Sequence, residues 1–236
     1  MLLENLTWPE VKRLKPATKV ILLPLGSFEQ HGHHLPLTTD TDIVTAVARG
    51  VEEMRPAKVL CLPTLWPGHS PHHLSFPGTL SVNQKPYIEM VVELCRSMAK
   101  MGAKKIFLLN GHGGNDVPLR VVVRELKSEF PGIQVVYASY WTLADLSIRH
   151  ACEIETSVML HLHPGRVKMP LACRDGLNHK ESRRRGGRVY FVNEFHEMTK
   201  TGTVGDPTTA TAQKGRGYLE KSIGDVTAFV DDFIKW

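Results

Sequence analysis

Four short, continuously apolar runs constrain this chain more than any other feature: Lys19–Leu25, Lys58–Leu65, Lys105–Asn110 and Ile133–Tyr140. A strand rich in Val, Ile and Leu on both sides has no face to give to water, so it belongs in a sheet covered above and below. Helical patterns separate the runs. Asp42–Met54 ends before Pro56, and Pro86–Lys100 carries proline in its first turn, where it is tolerated, with Gly102 as a stop. Val117–Phe130 ends at Pro131-Gly132. This alternation predicts an α/β fold of three layers, α/β/α, around a mainly parallel sheet. The strand-to-helix joins then gather at one sheet edge, where such folds place their sites.

Beyond Trp141 the pattern loosens. Leu146–His161 reads as a helix, Pro164–Gly187 as a long loop rich in Pro, Gly and Arg, and Arg188–Val192 as a short strand. Thr208–Ile234 reads as helix despite Gly215, Gly217 and Gly224. No repeat, low-complexity tract or linker divides the 236 residues, so a single domain over 1–236 is expected. No run approaches the roughly 20 apolar residues that cross a bilayer. The first residues lack the basic start and apolar stretch of a signal peptide. Cys61, Cys95, Cys152 and Cys173 show no paired spacing, which is the usage of a reduced, cytoplasmic protein.

The formal charge of +5 is local in origin. Arg183, Arg184, Arg185 and Arg188 lie close to Lys180. That cluster suits a phosphate, a nucleic acid or an acidic surface of another subunit, and equally suits a solvated loop. It is too confined to make this a nucleic-acid protein.

The first strand runs directly into Glu29-Gln30-His31-Gly32-His33-His34-Leu35-Pro36-Leu37-Thr38-Thr39-Asp40. Carboxylates and imidazoles in one short stretch are the ligand mixture favoured by zinc and related divalent metals. In an extended Glu29-x-His31 both side chains project to one side, and Asp40 returns from the following loop to close the site. Asn110-Gly111-His112-Gly113-Gly114-Asn115 follows the third strand and places His112 at the same edge, as a ligand or as a satisfied loop histidine. The second strand leads to His69, His72 and His73. Of these, His73 is the candidate for a substrate-side role, the alternatives being a supporting hydrogen bond or a surface imidazole. On the predicted helix, His150 and Glu153 are three apart and share a face. Glu155 lies about 200° from Glu153, so His150 and Glu153 are expected to face the metals and Glu155 to tie loops together. Cys152 is expected to be a packed thiol.

Glu29, His31, Asp40, His112 and Glu153 exceed what one catalytic zinc takes, since it keeps an open position. They suffice for two divalent ions bridged by Asp40, with zinc, manganese or iron all compatible. A metal-bridged hydroxide would then attack a carbonyl, and His150 would protonate the leaving group.

At these positions the chain resembles the creatininase (creatinine amidohydrolase) family. The matching motifs are Leu25-Gly26-Ser27-Phe28-Glu29-Gln30-His31-Gly32, Thr39-Asp40, Phe76-Pro77-Gly78-Thr79, the Asn110–Asn115 loop, Glu155-Thr156-Ser157 and Gly205-Asp206-Pro207-Thr208. They span nearly the whole chain in order. The resemblance implies a three-layer α/β/α fold, a two-metal site, commonly a hexamer, Glu29, His31, Asp40 and His112 as ligands, and His150 as catalytic histidine. Trp141 matches a tryptophan that covers substrate in creatininases. Creatininases proper carry Asn-Gly-His-Tyr-Glu-Asn in the loop, so their ligand glutamate is replaced here by Gly114. Branches with the Gly-Gly loop carry His-Ala-Gly-Glu at the helix, which points to Glu153 as the compensating carboxylate, acting as ligand, base or both. Those branches include formamide hydrolases, a peptidase of redox-cofactor maturation and hydrolases of cyclic keto-sugars.

The expected function is therefore metal-dependent hydrolysis of a small cyclic amide or other non-peptide amide C–N bond. The rival within enzymes is hydrolysis of a C–C bond in a cyclic keto-sugar. A phosphate- or nucleotide-binding module without enzymatic activity, built on the Gly111–Gly114 loop and the arginine cluster, leaves Glu29, His31 and Asp40 unexplained. The expected partner is a small-molecule substrate, with no nucleic acid and no membrane.

Overall fold

The computed structural model describes residues 1–176 and 193–236. Helix α1 (Trp8–Arg13) precedes β1 (Val20–Leu25), followed by α2 (Thr39–Met54), β2 (Val59–Cys61), α3 (Gln84–Lys100) and β3 (Lys105–Asn110). Then come α4 (Asp116–Glu129), β4 (Gln134–Ser139), α5 (Tyr140–Leu143), α6 (Glu153–Leu162), α7 (Phe195–Met198) and α8 (Ala212–Phe233). The four strands pair in the order β2-β1-β3-β4, and every pair is parallel, with Val20 opposite both Val59 and Lys105.

Strand period two divides the core into two. Val20, Leu22, Phe107 and Leu109 face one way, against α2, α6 and α8; Ile21, Leu23, Leu25, Ile106 and Leu108 face the other, against α3 and α4. All nine side chains are buried, each contributing roughly 1.5–3 kcal/mol of transfer free energy. This is the three-layer α/β/α sandwich that the doubly apolar runs require.

The departures from the sequence expectation have local causes. Strand β2 stops at Cys61 because Pro63 cannot donate to a ladder; the chain rejoins the sheet only at Leu65, bridged to Leu25. Helix α2 begins earlier than expected, so Asp40 lies in its first turn and not in a loop, where the helix dipole favours a carboxylate. The helix expected over Leu146–His161 starts only at Glu153. Asp145 and Ala151 take left-handed backbone angles (φ 49° and 50°) that an α-helix cannot contain. The freed backbone of His150 instead pairs antiparallel with Val204. The expected strand Arg188–Val192 and the Arg183–Arg188 cluster lie outside the described residues. Among the described residues, no helix is long and apolar enough to cross a membrane, and all four cysteines are unpaired thiols.

Helices α6 and α8 meet at Gly215, where an added Cβ would stand 1.8 Å from the Ser157 carbonyl oxygen. Gly217 and Gly224, on the same helix, have nothing within 4 Å of that position. Gly215→Ala is therefore expected to lose about 1–3 kcal/mol to overpacking, although alanine is intrinsically the better helix former. Gly217→Ala and Gly224→Ala are expected to gain up to about 1 kcal/mol each. Urea unfolding of the three variants checks the opposite signs.

Candidate active site

The C-terminal ends of β1, β2 and β3 open on one side of the sheet, and each leads into a histidine-bearing loop. From β1, the chain turns through Gly32 (φ 66°) and presents Glu29 and His31. From β2 it passes to the single 3-10 turn Pro71–His73. From β3, Gly111 packs against α2, where a Cβ would lie 2.6 Å from Val44, and His112 projects inward. The backbone before α6 contributes His150, and the first turn of α6 contributes Glu155.

These side chains converge. Asp40 lies between two imidazoles, with Oδ1 3.1 Å from His31 Nε2 and Oδ2 3.0 Å from His112 Nδ1. Glu29 Oε2 is 3.2 Å from His112 Nδ1 and accepts from the Ser27 hydroxyl at 3.0 Å. Glu29 Oε1 stands 3.2 Å from His73 Nε2 and 3.7 Å from His150 Nδ1. Three sets of possible donors arise: Glu29, Asp40 and His112; His31, His150 and Glu155; Glu29, His73 and His150. All these side chains are buried except that of His150, which is 12% exposed.

Two oxygens decide how the cluster is to be read. Glu29 Oε1 and Asp40 Oδ2 are buried and make no hydrogen bond, although imidazole nitrogens stand within about 3 Å of both. A buried carboxylate oxygen left without a donor is costly. Donor atoms that approach one another without bonding share a centre to which all can point. The residues thus fit a divalent cation better than they fit one another.

The proton affinities follow from the same crowding. Burial pushes Glu29 up, but His112, His73 and His150 outweigh it and hold the carboxyl well below its ordinary range. Burial lowers His31, yet Asp40 overcomes this and raises it to about 10. His112 is raised for the same reason by Glu29 and Asp40. Burial drives His150 down to about 3, aided by the neighbouring His31, and lowers His73 further still. Glu155 is pushed up to about 8 by burial, with His31 opposing and Asp40 adding to the rise.

The structure brings Glu29, His31, Asp40, His112, His73 and His150 together and leaves Glu153 out. Glu153 faces away, with Oε1 3.0 Å from Lys214 Nζ and Oε2 accepting from the Tyr218 hydroxyl at 3.1 Å. The expected face-sharing with His150 fails because His150 precedes the helix. Glu153 is the first helical residue and Glu155 the third, on opposite sides, and it is Glu155 that reaches the cluster. The local signal is incomplete: Glu155 Oε2 lies 3.4 Å from the Cys152 amide, as a glutamate at the third helical position of a capping box does, but Cys152 stands where that motif has Ser or Thr. Gly114 cannot supply the missing carboxylate, since a Cβ there would meet the His69 carbonyl at 2.2 Å. Cys152 is a packed thiol, pushed up to about 11 by burial, and no nucleophile.

A cleft of about 470 Å³ opens over the cluster. Glu29, Asp40, His112, His150 and Glu155 form its floor, and Trp141, Ile148, Phe195, Met198 and Val204 its apolar wall. Both residues expected on the substrate side, His73 and Trp141, line it. Sequence reasoning missed Phe195, whose ring stacks on His73 at 3.8 Å between centroids, because nothing in a lone phenylalanine far along the chain marks it.

A three-layer α/β/α protein with a buried carboxylate–imidazole cluster at its strand ends is thereby defined. Residues 4–230 match the family described as creatininase, creatinine amidohydrolase. A mycofactocin precursor peptide peptidase from Mycobacterium ulcerans (strain Agy99) is 36% identical over 231 residues, which cover 93% of this chain and 83% of the relative. Creatinine amidohydrolase from Pseudomonas putida is 30% identical over 258 residues, covering 97% and 96%. Two solved creatininases, one described as a manganese form and one as a zinc–zinc type, each superpose with a TM-score of 0.83 at 26% identity, covering 98% of this chain and 97% of theirs. The chain belongs to the creatininase family and is an enzyme of the amidohydrolase type. Gly114, and the greater identity to the peptidase, set it in a branch apart from creatininase proper.

Proposed function

We propose that this chain, as one domain over residues 1–236 and in a homo-oligomer such as the hexamer its family resemblance implies, hydrolyses amide C–N bonds with two divalent ions. The observation that carries the reading is the pair of buried, unbonded carboxylate oxygens, Glu29 Oε1 and Asp40 Oδ2, aimed at imidazole nitrogens. Glu29, Asp40 and His112 would hold one ion, and His31 and Glu155 would contribute to holding the other. Asp40 would be shared between the two, because its oxygens face different histidines. Zinc fits this donor set, as do manganese and iron. When bound, such a pair polarises a carbonyl and makes water nucleophilic near neutral pH.

The protein's own groups do the rest. His150 Nε2 lies 2.7 Å from the Gln30 carbonyl oxygen, so it donates there and leaves the Nδ1 lone pair directed at the cluster. Nδ1 is then the atom that takes a proton and delivers it to the departing nitrogen. Glu155, pushed up to about 8 by burial, would have to lose its proton to act as a ligand. Trp141, Ile148 and Phe195 receive the apolar part of the substrate and exclude water from the bond that breaks. Similarity to a peptidase places peptide amides beside cyclic amides in the first screen, which widens the non-peptide expectation.

Elemental analysis and a release assay test the reading together. Wild type is expected to hold two ions per chain and to release amine from an amide substrate. Glu155→Ala is expected to fall toward one ion and lose at least about 100-fold in turnover, as removal of a ligand or reacting group does. Glu153→Ala is expected to keep both ions. Undiminished turnover by folded, chelator-stripped protein would falsify the scheme.

Metal uptake is expected to depend on pH. In the ion-free protein His31 holds its proton up to about 10 and His112 is likewise raised, so each ion must displace protons. Affinity is therefore expected to rise with pH from neutrality toward 10. Calorimetry in buffers of different ionisation heat should register net proton release.

A further inference from the structure

The carboxylate of Asp175 gathers five donors. Its Oδ2 accepts from the Thr199 hydroxyl at 2.8 Å, the Lys200 amide at 2.9 Å, and the Thr201 amide and hydroxyl, both at 3.0 Å. Its Oδ1 accepts from the Gly176 amide at 2.7 Å. The main chain of Asp175 also exchanges two hydrogen bonds with Gly205, while His150 pairs with the adjacent Val204. One aspartate thus folds the 195–202 segment into a fixed turn and ties it to the strip that carries His150.

That turn reaches the active-site imidazoles from two directions. At its start, the Phe195 ring lies against the face of His73 at 3.8 Å and edge-on to His150 at 4.6 Å. At its end, Gly202 takes a left-handed angle (φ 83°), its amide donates to the Thr199 hydroxyl at 3.1 Å, and its carbonyl accepts from Gln30 Nε2 at 3.2 Å. The Gln30 amide has two protons to give. His150 Nε2 already donates to the Gln30 carbonyl, so the side-chain amide gives one proton to Gly202 and the other to His73 Nδ1 at 2.9 Å. A side chain at Gly202 would meet Gln30 Oε1 at 1.9 Å, so the approach is as close as the backbone allows.

We propose that Asp175 is a positioning residue for His150 and His73: it sets the Phe195–Gly202 turn, whose phenylalanine fixes the imidazole faces and whose last carbonyl orients Gln30 beneath them. Asp175 touches no reacting group itself, and the inference rests on the amide-hydrolase reading only where turnover is the measure.

The test follows imidazole nitrogens by NMR in zinc-loaded protein, with resonances assigned through His73→Gln and His150→Gln, alongside steady-state kinetics and elemental analysis. Asp175→Ala is expected to shift the His73 and His150 signals and leave that of His161, outside the site, in place. Ion content is expected to stay at the wild-type value, kcat to fall about 10-fold or more, and KM to change much less, as for a reacting group displaced by a fraction of an ångström. Asp175→Asn keeps an acceptor toward Thr199–Thr201 and loses the bond from Gly176, so it should recover most of the loss. Unmoved imidazole signals in folded Asp175→Ala overturn the proposal, as does loss of ions in step with activity, which would assign Asp175 to the scaffold alone. Should Asp175→Ala fail to fold, Asp175→Asn and Thr201→Val carry the same test, with smaller shifts of the same two resonances expected and none overturning it. If wild type cleaves no amide while the signals still move, the positioning role stands and the substrate reading fails.

Discussion

Two carboxylates buried among imidazoles are the constraint on which the rest of this structure depends. Taking Glu29 and Asp40 out of water is expensive unless positive charge and hydrogen bonds replace the lost solvation. Here His31 and His112 flank Asp40, and His112, His73 and His150 stand around Glu29, each imidazole carried by a separate loop. Such a cluster tolerates little displacement, because each partner that drifts leaves a charge uncovered. The sheet supplies the required stiffness: β1 and β3 are adjacent, in register over their whole length, and end together where Glu29 and His112 leave them.

The supporting contacts extend that stiffness outward. Ser27 and Ser70 lie 2.6 Å apart and link Glu29 to His112 Nε2. Asn115 accepts the His69 amide and donates to the Gly26 carbonyl, joining the loops after β1, β2 and β3. His34 and Thr156, 2.8 Å apart, connect the first loop to α6. Each of these contacts ties one histidine-bearing loop to a neighbouring element.

The sheet was legible in the sequence because a doubly apolar strand has few places to go. Lys105–Asn110 is a strand at the residues where it was expected, and Glu29, His31, Asp40 and His112 meet at the sheet edge. The α6 region was misread for a physical reason. The apolar pattern continues through Leu146–Ile148 whether or not the backbone is helical, and a left-handed alanine leaves no trace in composition. That one angle at Ala151 exchanged the roles of Glu153 and Glu155. Phe195 and the Asp175 turn were invisible for another reason: their contacts are made across the chain, by residue types common in any loop.

The order in which the donors become available along the folding chain follows from this layout. Glu29, His31 and Asp40 lie within one short stretch and need only the turn between β1 and α2 to approach one another. His112 arrives with β3, whose pairing to β1 closes a long loop and is correspondingly slow. Glu155 lies far along the chain, on α6, which packs against α8 at Gly215. A nascent chain therefore brings three of these five side chains together before the other two, and the full set exists only in the completed fold. Ions bound to that final state alone would draw the folding equilibrium forward by mass action, making metal supply a determinant of how much folded enzyme accumulates.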